Sequence, residues 1–270
     1  MSLKNKNVSI IGVGNMGFAL LKGLLAGVLK GNQVMVADVL PGRADAIATM
    51  LGAVAASNEE VTDHADIIIL AVKPRDMSDV LEEISSKVTY RKLLISIAAG
   101  ITTKRIEEEL GGEPRVVRVM PNTPAIVGAG AAVLCKGDYA STQDLDTAEE
   151  LLSSVAVTLR TDESLLDAVT ALSGSGPAYV FLVAESMIRA GMAAGLSEDV
   201  ASKLTIQTIY GAGKMLKESG EAPAVLRRNV TSPGGTTEAA LKVMTDRKLA
   251  DIFAEAIQAA ARRSKELSAT

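Results

Sequence analysis

A glycine-rich stretch near the start of the chain, residues 8–17, constrains the fold more than any other feature. Its first residues, Val-Ser-Ile-Ile, are typical of a strand buried on both faces, and Gly12, Gly14 and Gly17 have the spacing of a dinucleotide-binding turn. Gly12 permits a tight turn, Gly14 lets the main chain approach a pyrophosphate, and Gly17 lets the next helix pack closely on the sheet. The N–H groups at the start of that helix would face the phosphates.

Asp38 supports this interpretation from the end of a second apolar run. A glycine triplet alone also occurs in ordinary turns between a strand and a helix, so its context decides its meaning. Asp38 lies 21 residues after Gly17, where the carboxylate of a dinucleotide-binding fold bonds to a ribose hydroxyl. Together the two features predict a dinucleotide site.

The first part of the chain alternates short apolar runs with helical stretches, which is typical of βαβ units. Strands are predicted at residues 8–11, 34–37, 67–72, 93–97, 116–120 and 131–134, with another possible at 155–159. Helices are predicted at residues 16–29, 43–51, 77–86, 103–110 and 142–154. The pattern predicts an α/β fold whose N-terminal domain, residues 1–160, is a Rossmann-type doubly wound parallel sheet.

Beyond Arg160 the strand pattern ends, and a second, all-α domain is predicted over residues 161–270. Its helices are predicted at 177–194, 197–217 and 249–267, and the first is apolar around much of its circumference. The whole chain has three phenylalanines, four tyrosines and no tryptophan, so aliphatic side chains must fill its cores. We expect these helices to complete their core in at least a homodimer.

Composition excludes several other classes of protein. The net charge is −4 and the basic residues are scattered, so nucleic acid is not an expected partner. The longest purely apolar runs, such as 67–72 and 178–184, are too short to span a bilayer, and we expect a soluble cytoplasmic protein. The single histidine, His64, is predicted at a solvated helix end, and Cys135 as a small buried side chain. No metal site is predicted, because no Cys/His cluster has the spacing of metal ligands.

The loops after the predicted strands should meet in one cleft, because ligands of such sheets bind at the carboxyl ends of the strands. Residues 71–74 read Ala-Val-Lys-Pro, residues 96–100 Ser-Ile-Ala-Ala-Gly, and residues 120–124 Met-Pro-Asn-Thr-Pro. Lys73 could lie near a phosphate or ribose, or it could be a solvated lysine before a helix that starts at Pro74.

A second glycine-rich stretch, residues 229–238, lies within the helical part and leads into another helix. It reads Asn-Val-Thr-Ser-Pro-Gly-Gly-Thr-Thr-Glu. Free N–H groups near Thr236 and Thr237 could bind a small carboxylate. The alternative is a helix capped by a threonine side chain, which is common.

These motifs, in this order, resemble the Δ1-pyrroline-5-carboxylate reductase family, which makes proline from a cyclic imine. The most specific parts are residues 172–179, Leu-Ser-Gly-Ser-Gly-Pro-Ala-Tyr, and residues 230–237, Val-Thr-Ser-Pro-Gly-Gly-Thr-Thr. The segments 71–74 and 120–124 support them, and the resemblance covers nearly the whole chain. It implies a Rossmann domain followed by a helical dimerisation domain.

The resemblance implies hydride transfer from a reduced nicotinamide to the imine carbon, with no nucleophile and no metal. It places the substrate carboxylate at the main chain of Thr236 and Thr237, with Glu163 in the substrate pocket. Thr237 is the candidate catalytic residue, and we favour an orienting hydrogen bond from its hydroxyl over proton donation, since a hydroxyl is a weak acid. The implied substrate-binding residues are Glu163, Ser232, Gly235, Thr236 and Thr237.

The same resemblance implies a cofactor site made of Ile11, Gly12, Val13, Gly14, Asn15, Met16, Gly17, Asp38, Asn58, Ala71, Val72, Lys73, Pro74, Ile97, Ala98, Ala99 and Asn229. Ribose and phosphate contacts fall at Asn58 and Lys73, and the nicotinamide near Ala98, Ala99 and Asn229. The cofactor is NADH or NADPH. Asp38 favours NADH because a carboxylate repels a 2′-phosphate, although Arg43 could offset that repulsion.

Three alternatives remain at this point. A six-membered cyclic imine carboxylate is an alternative substrate, because nothing in the sequence measures the pocket. A β-hydroxyacid enzyme would need a lysine on the helix after the domain boundary, and residues 161–202 contain none. A non-catalytic dinucleotide sensor would carry degraded substrate residues, whereas both glycine-rich stretches are intact here.

Overall fold

An eight-stranded sheet organises the first part of the chain. The computed structural model describes residues 3–268, and within them the strands are β1 (Val8–Ile11), β2 (Val34–Ala37), β3 (Val54–Ala55), β4 (Ile67–Leu70), β5 (Leu93–Ser96), β6 (Arg115–Pro121), β7 (Gly130–Lys136) and β8 (Ala156–Arg160). The strand order is β3-β2-β1-β4-β5-β6-β7-β8. Every neighbouring pair is parallel except β6 and β7. The strand order reverses between β1 and β4.

Helices connect the strands and form the remainder of the chain. In the described part they are α1 (Asn15–Leu25), α2 (Arg43–Leu51), α3 (Asn58–His64), α4 (Met77–Ile84), α5 (Thr103–Leu110), α6 (Thr142–Leu152), α7 (Leu166–Val169), α8 (Gly176–Ala193), α9 (Glu198–Glu218), α10 (Pro223–Asn229), α11 (Thr236–Asp246) and α12 (Leu249–Ser268). Short 3-10 turns lie at Leu3–Asn5, Gly31–Gln33, Pro74–Asp76, Ser85–Lys87, Thr123–Val127 and Glu163–Leu165, and a π turn at Thr170–Gly174.

The sheet is covered on both faces. All residues of β1, β4 and β5 are buried. Side chains of α1, α2 and α6 pack on one face, and side chains of α3, α4 and α5 pack on the other. Each fully buried aliphatic side chain stabilises the folded protein by about 1.5–3 kcal/mol. Because helices cover both faces of the central strands, apolar residues are favoured on both faces, and these strands carry few polar residues. The doubly wound Rossmann-type fold predicted from the sequence is confirmed.

Two details of the sheet differ from the prediction of a purely parallel sheet. Strand β3 was not predicted, because a two-residue strand carries no detectable periodicity. Strand β7 runs antiparallel to β6. Only residues 122–129 link these strands, and a parallel pair needs a crossover of a dozen residues or more. The possible strand at 155–159 is present as β8.

Contacts divide the chain into two compact units, at positions that differ from the predicted boundary after residue 160. Among the described residues, 3–175 together with 260–268 form the first unit, and residues 176–259 form the second. Residues 161–175 belong with the sheet because polar side chains hold them there. For example, the Arg118 guanidinium of β6 donates to the Glu163 carboxylate at 2.9 Å. Hydrophobic periodicity does not encode such contacts.

The second unit buries little of its own apolar surface. Within residues 176–259 only Ala201 and Thr205 are buried, and α8 has no buried residue. Large apolar side chains are exposed on its helices: Phe181, Leu182, Leu204, Ile206, Tyr210 and Ile252. Leaving so much apolar surface in water is unfavourable, so these helices need a covering surface.

One helical stretch of the described chain, Glu163–Ala193, is long and apolar enough to cross a membrane by length and composition alone. The expectation that no segment spans a bilayer rests on uninterrupted apolar runs, and in this stretch polar residues such as Ser173, Ser175 and Glu185 separate the apolar segments. A helix packed in a subunit interface has the same length and composition.

Cys135 lies in β7 and is 3% exposed, as the sequence predicted. Burial raises the pKa of its thiol to about 12, and the nearby Glu163 carboxylate adds to the rise. Because the thiolate is the reactive form, we expect a thiol reagent at neutral pH to leave Cys135 unmodified in the native protein and to modify it after unfolding. Absorbance of the released chromophore, with and without denaturant, measures this. Rapid modification of the native protein would contradict the buried position.

Candidate active site

A cavity of about 240 Å³ lies where the strand order reverses, next to the ends of β1, β2 and β4. Open α/β sheets bind their ligands at this position. Its walls include eight residues that the sequence predicts for the cofactor: Ile11, Gly12, Gly14, Asp38, Asn58, Ala71, Val72 and Lys73. A neighbouring cavity of about 400 Å³ is lined by Val13, Gly14 and Asn15 with Phe18 and Arg43.

The three glycines of the turn have different surroundings. Gly12 has φ +95°, and a Cβ there would lie 2.8 Å from the Ala71 carbonyl. A Cβ on Gly17 would lie 2.0 Å from the main-chain oxygen of Gly12, whereas a Cβ on Gly14 would meet nothing within 4 Å. Glycine is therefore required at positions 12 and 17 by the packing of the main chain, with or without a ligand. Gly14 borders open space and leaves room for a ligand against the main chain.

The start of α1 fits the phosphates of a dinucleotide. Its N-cap, Gly14, has no side chain to bond the first turn, and that turn contains no acidic residue. The first intrahelical bond runs from the Phe18 N–H to the Gly14 oxygen at 2.8 Å. The N–H groups of Asn15, Met16 and Gly17 precede that bond and have no helical acceptor. An anion placed there would receive these donors and the positive end of the helix dipole.

Asp38 lies directly after β2, and its carboxylate is held by the main chain. Its side chain is 4% exposed. One oxygen accepts from the Val13 N–H at 2.9 Å, and the other accepts from the Leu40 N–H at 2.9 Å. The Arg43 guanidinium lies 3.5 Å from the same carboxylate. These bonds fix a negative charge at the wall of the cavity.

The second glycine-rich stretch forms a tight turn in the second unit. The Gly235 N–H donates to the Ser232 carbonyl at 3.0 Å, and Gly234 between them has φ +70°. Proline followed by a glycine of positive φ is the pair that a type II turn requires, and Pro233 precedes Gly234 here. The turn delivers the chain into α11, while Asn229 is the exposed last residue of α10.

The start of α11 carries no side-chain cap, so the alternative of a threonine-capped helix is wrong. Its N-cap is Gly235, and Thr236 is already the first helical residue. The first intrahelical bond runs from the Ala239 N–H to the Gly235 oxygen at 3.2 Å, so the N–H groups of Thr236 and Thr237 have no helical acceptor. The Glu238 carboxylate accepts from the Gly234 N–H at 2.7 Å.

Similarity to known proteins extends over nearly the whole chain. The family model described as pyrroline-5-carboxylate reductase dimerisation matches residues 163–267, and the model described as NADP oxidoreductase, coenzyme F420-dependent, matches residues 7–100. The pyrroline-5-carboxylate reductase of Corynebacterium melassecola is 39% identical over 264 residues, which are 96% of this chain and 98% of that protein. The chain belongs to the pyrroline-5-carboxylate reductase family.

Solved structures of this family have the same fold. A pyrroline-5-carboxylate reductase from Coxiella burnetii superposes with a TM-score of 0.94 at 37% identity, covering 99% of this chain and 100% of the other. The Plasmodium falciparum pyrroline carboxylate reductase with NADP bound has a TM-score of 0.87 at 34% identity, covering 98% and 99%. The chain is therefore an oxidoreductase that uses a nicotinamide dinucleotide, and its helical part self-associates.

Glu163, which the family resemblance places in the substrate pocket, forms its hydrogen bonds within the first unit of the protein. One carboxylate oxygen accepts from the Arg118 guanidinium and from the Thr103 N–H, both at 2.9 Å, and the other accepts from the Thr103 hydroxyl at 2.6 Å. Thr103 is the first residue of α5, so the carboxylate also lies at a helix N-terminus. Glu163 lines a cavity of about 530 Å³ with Cys135 and Arg160. Sequence reasoning missed Arg118 and Thr103.

Asn122 joins two of the family motifs. Its amide oxygen accepts from the Ala131 N–H at 2.8 Å, and its amide nitrogen donates to the main-chain oxygen of Ser173 at 3.2 Å. The segment 120–124 therefore braces the segment that begins at residue 172. This structural role was not predicted, because the sequence suggested only polar groups facing a cleft.

The remaining predicted cofactor residues differ in exposure. Ile97 and Ala98 follow β5 and are buried, whereas Ala99 is exposed, and none of the three lines the cavity. Pro74 begins a 3-10 turn, in line with the helix start predicted there, and Lys73 before it is exposed and lines the cavity.

Proposed function

We propose that this chain reduces 1-pyrroline-5-carboxylate to L-proline, the last step of proline biosynthesis, in the cytoplasm. The observation that carries the substrate assignment is the start of α11, where a rigid turn precedes two N–H groups without a helical acceptor. A small carboxylate is the ligand that such a helix start favours. Residues 1–160 bind the cofactor in this proposal, and residues 161–270 bind the substrate and a second copy of the chain.

The cofactor supplies a hydride to the imine carbon when it is bound. The protein orients the cofactor and the substrate. Gly14 and the start of α1 bind the pyrophosphate, and the N–H groups of Thr236 and Thr237 bind the substrate carboxylate. Holding two reactants in a productive orientation accounts for much of the rate of such a transfer. In this proposal Ser232 and Gly235 maintain the turn, Glu163 contributes to substrate binding, and Asn229 contributes to cofactor binding.

Thr237→Ala is expected to lower kcat/KM by about tenfold or more, with little change in cofactor affinity, because the variant loses the hydroxyl that orients the imine nitrogen. Thr236→Ala is the matched control, since only the main chain of this exposed residue takes part. Steady-state kinetics and a cofactor titration measure both variants. An unaltered rate in Thr237→Ala would remove this hydroxyl from the mechanism.

Oxidation of NADH or NADPH, followed by absorbance after addition of five- or six-membered imine carboxylates, tests the proposed reaction. The expected result is a higher kcat/KM for the five-membered substrate. A preference for the six-membered ring would assign the alternative substrate. Absence of oxidation with either ring and either cofactor would favour a dinucleotide sensor.

NADH is the proposed cofactor because Asp38 places a fixed carboxylate in the cavity wall. The carboxylate suits the free hydroxyls of the adenosine ribose and repels a 2′-phosphate. Arg43 approaches the same carboxylate and leaves some tolerance for NADPH.

Asp38→Ser is expected to raise kcat/KM for NADPH and to lower it for NADH, so that their ratio shifts by about tenfold. Asp45→Ser on α2 removes the same charge from an exposed position outside the cavity and serves as the control. Kinetics with both cofactors measure the ratio. No gain with NADPH in Asp38→Ser would show that Asp38 is not the selector.

Self-association supplies the cover that the exposed helices need. The exposed apolar residues of α8 and α9 fit burial against a second copy in at least a homodimer. This also accounts for the apolar stretch Glu163–Ala193 without a membrane.

A further inference from the structure

The wall of the cofactor cavity carries more negative charge than Asp38 alone supplies. Asp76 follows β4, and Asp79 and Glu83 lie on α4; with Asp38 they place four carboxylates in the wall. Two cations, Arg43 and Lys73, face the same space. A 2′-phosphate would bring a further charge of about −1.5 to −2 among these groups.

Glu83 also contacts a residue that the family resemblance assigns to the cofactor ribose. The Asn58 amide nitrogen donates to the Glu83 carboxylate at 2.7 Å, and both residues line the cavity. A carboxylate can only accept, so the amide nitrogen, and not the amide oxygen, must be the atom that faces Glu83. Asn58 is the first residue of α3, whose start is fixed by a capping box between Ser57 and Glu60. The backbone position of Asn58 is therefore well determined.

We propose that Glu83 is a positioning residue that sets cofactor specificity through Asn58. It holds the amide by one N–H and leaves the amide oxygen as an acceptor for a ribose hydroxyl. A 2′-phosphate has only acceptor oxygens, so it would need N–H donors, and Glu83 already engages one of the two that the Asn58 amide carries. The proposal rests on the assignment of the adenosine ribose to this cavity and deepens the proposed preference for NADH.

An effect of Glu83 through Asn58 can be distinguished from repulsion of the 2′-phosphate by the total negative charge of the cavity wall. Glu83→Gln keeps the length of the side chain, removes its charge, and lets the Asn58 amide turn over, because glutamine both donates and accepts. Asp79→Asn removes one charge from the same wall, while no hydrogen bond joins Asp79 to Asn58 among the described residues. If Glu83 acts through Asn58, only Glu83→Gln strongly changes the ratio of the Kd values for NADH and NADPH.

Fluorescence titration of the purified enzyme with NADH and NADPH, without imine, tests the proposal. The expected result for Glu83→Gln is an about fivefold lower Kd for NADPH with little change for NADH. Glu82→Gln, the neighbouring exposed glutamate outside the cavity, should leave both constants unchanged. An equal gain for NADPH in Asp79→Asn would overturn the proposal, since charge alone would then explain the result.

Asn58→Ala provides a second test, in which Glu83→Gln is introduced into a protein that lacks the Asn58 amide. In this background Glu83→Gln is expected to have no further effect on the ratio of the two Kd values, because the group that transmits it is absent. A full effect without Asn58 would overturn the proposal, and so would equal Kd values for NADH and NADPH in the wild-type enzyme. Because no imine is present, a failure to reduce 1-pyrroline-5-carboxylate would contradict the proposed function and leave this result intact.

Discussion

Gly17→Ala is expected to destabilise the protein by about 3 kcal/mol or more, because the new methyl group has no room. Its Cβ would lie 2.0 Å from the Gly12 oxygen and 3.4 Å from the Ala71 Cβ. The closest neighbour is main chain and cannot rotate away, so α1 must shift on the sheet. Thermal and denaturant unfolding of the variant measure the loss. A stability equal to that of the wild type would show that α1 can move outward at no cost.

Gly14→Ala is the matched control, because the same methyl group would meet nothing within 4 Å and Gly14 has an ordinary φ of −66°. We expect this variant to keep the wild-type stability and to bind the dinucleotide about tenfold more weakly, since the methyl group lies where the pyrophosphate approaches. Titration with NADH measures the affinity. Wild-type affinity in Gly14→Ala would contradict the placement of the pyrophosphate at this turn.

Arg118→Met is expected to cost about 3 kcal/mol of folding free energy, because it breaks an ion pair whose cation is buried. The Arg118 side chain is 5% exposed and bonds to Glu163 at 2.9 Å. Methionine fills part of the volume but leaves the Glu163 carboxylate with only its bonds from Thr103. Denaturant unfolding measures the loss, and an unchanged midpoint would contradict a structural role for the pair.

Glu163→Gln separates the structural role of Glu163 from its proposed role in the substrate pocket. Glutamine keeps an oxygen that accepts from the Thr103 N–H and removes the charge opposite Arg118. A loss of stability with an unchanged KM for the imine would assign Glu163 to the fold alone. A higher KM at wild-type stability would assign it to the substrate. The Arg118→Met/Glu163→Gln double variant gives the coupling energy of the pair.

The sheet and the cofactor turn could be predicted from the sequence because local patterns encode them. β1, β4 and β5 are short apolar runs, as strands covered on both faces must be, and the glycine spacing follows from sterics at Gly12 and Gly17. Two-residue β3 has too few residues for any periodicity. The direction of β7 was readable only from the length of its connection to β6.

Side-chain contacts between distant segments could not be predicted in the same way. Thr103 and Glu163 are 60 residues apart, and Asn122 and Ser173 are 51 residues apart. No periodicity relates such residues, because each pair depends on how separate elements pack. The bond between Asn58 and Glu83 has the same origin. The sequence indicated Asn58, but its partner Glu83 depends on the packing of α3 beside α4.

The chain leaves the first contact unit after Ser175 and re-enters it at Ala260. The helical residues between these points are therefore an insertion within the sheet-containing unit and not an appended tail. A fragment that ends at residue 160 would lack Glu163, and it would also lack Asp167 and Ser264, which bond to each other. Dissection of this enzyme into independently folding pieces is therefore expected to succeed better by replacing residues 176–259 with a linker than by truncating the chain after residue 160.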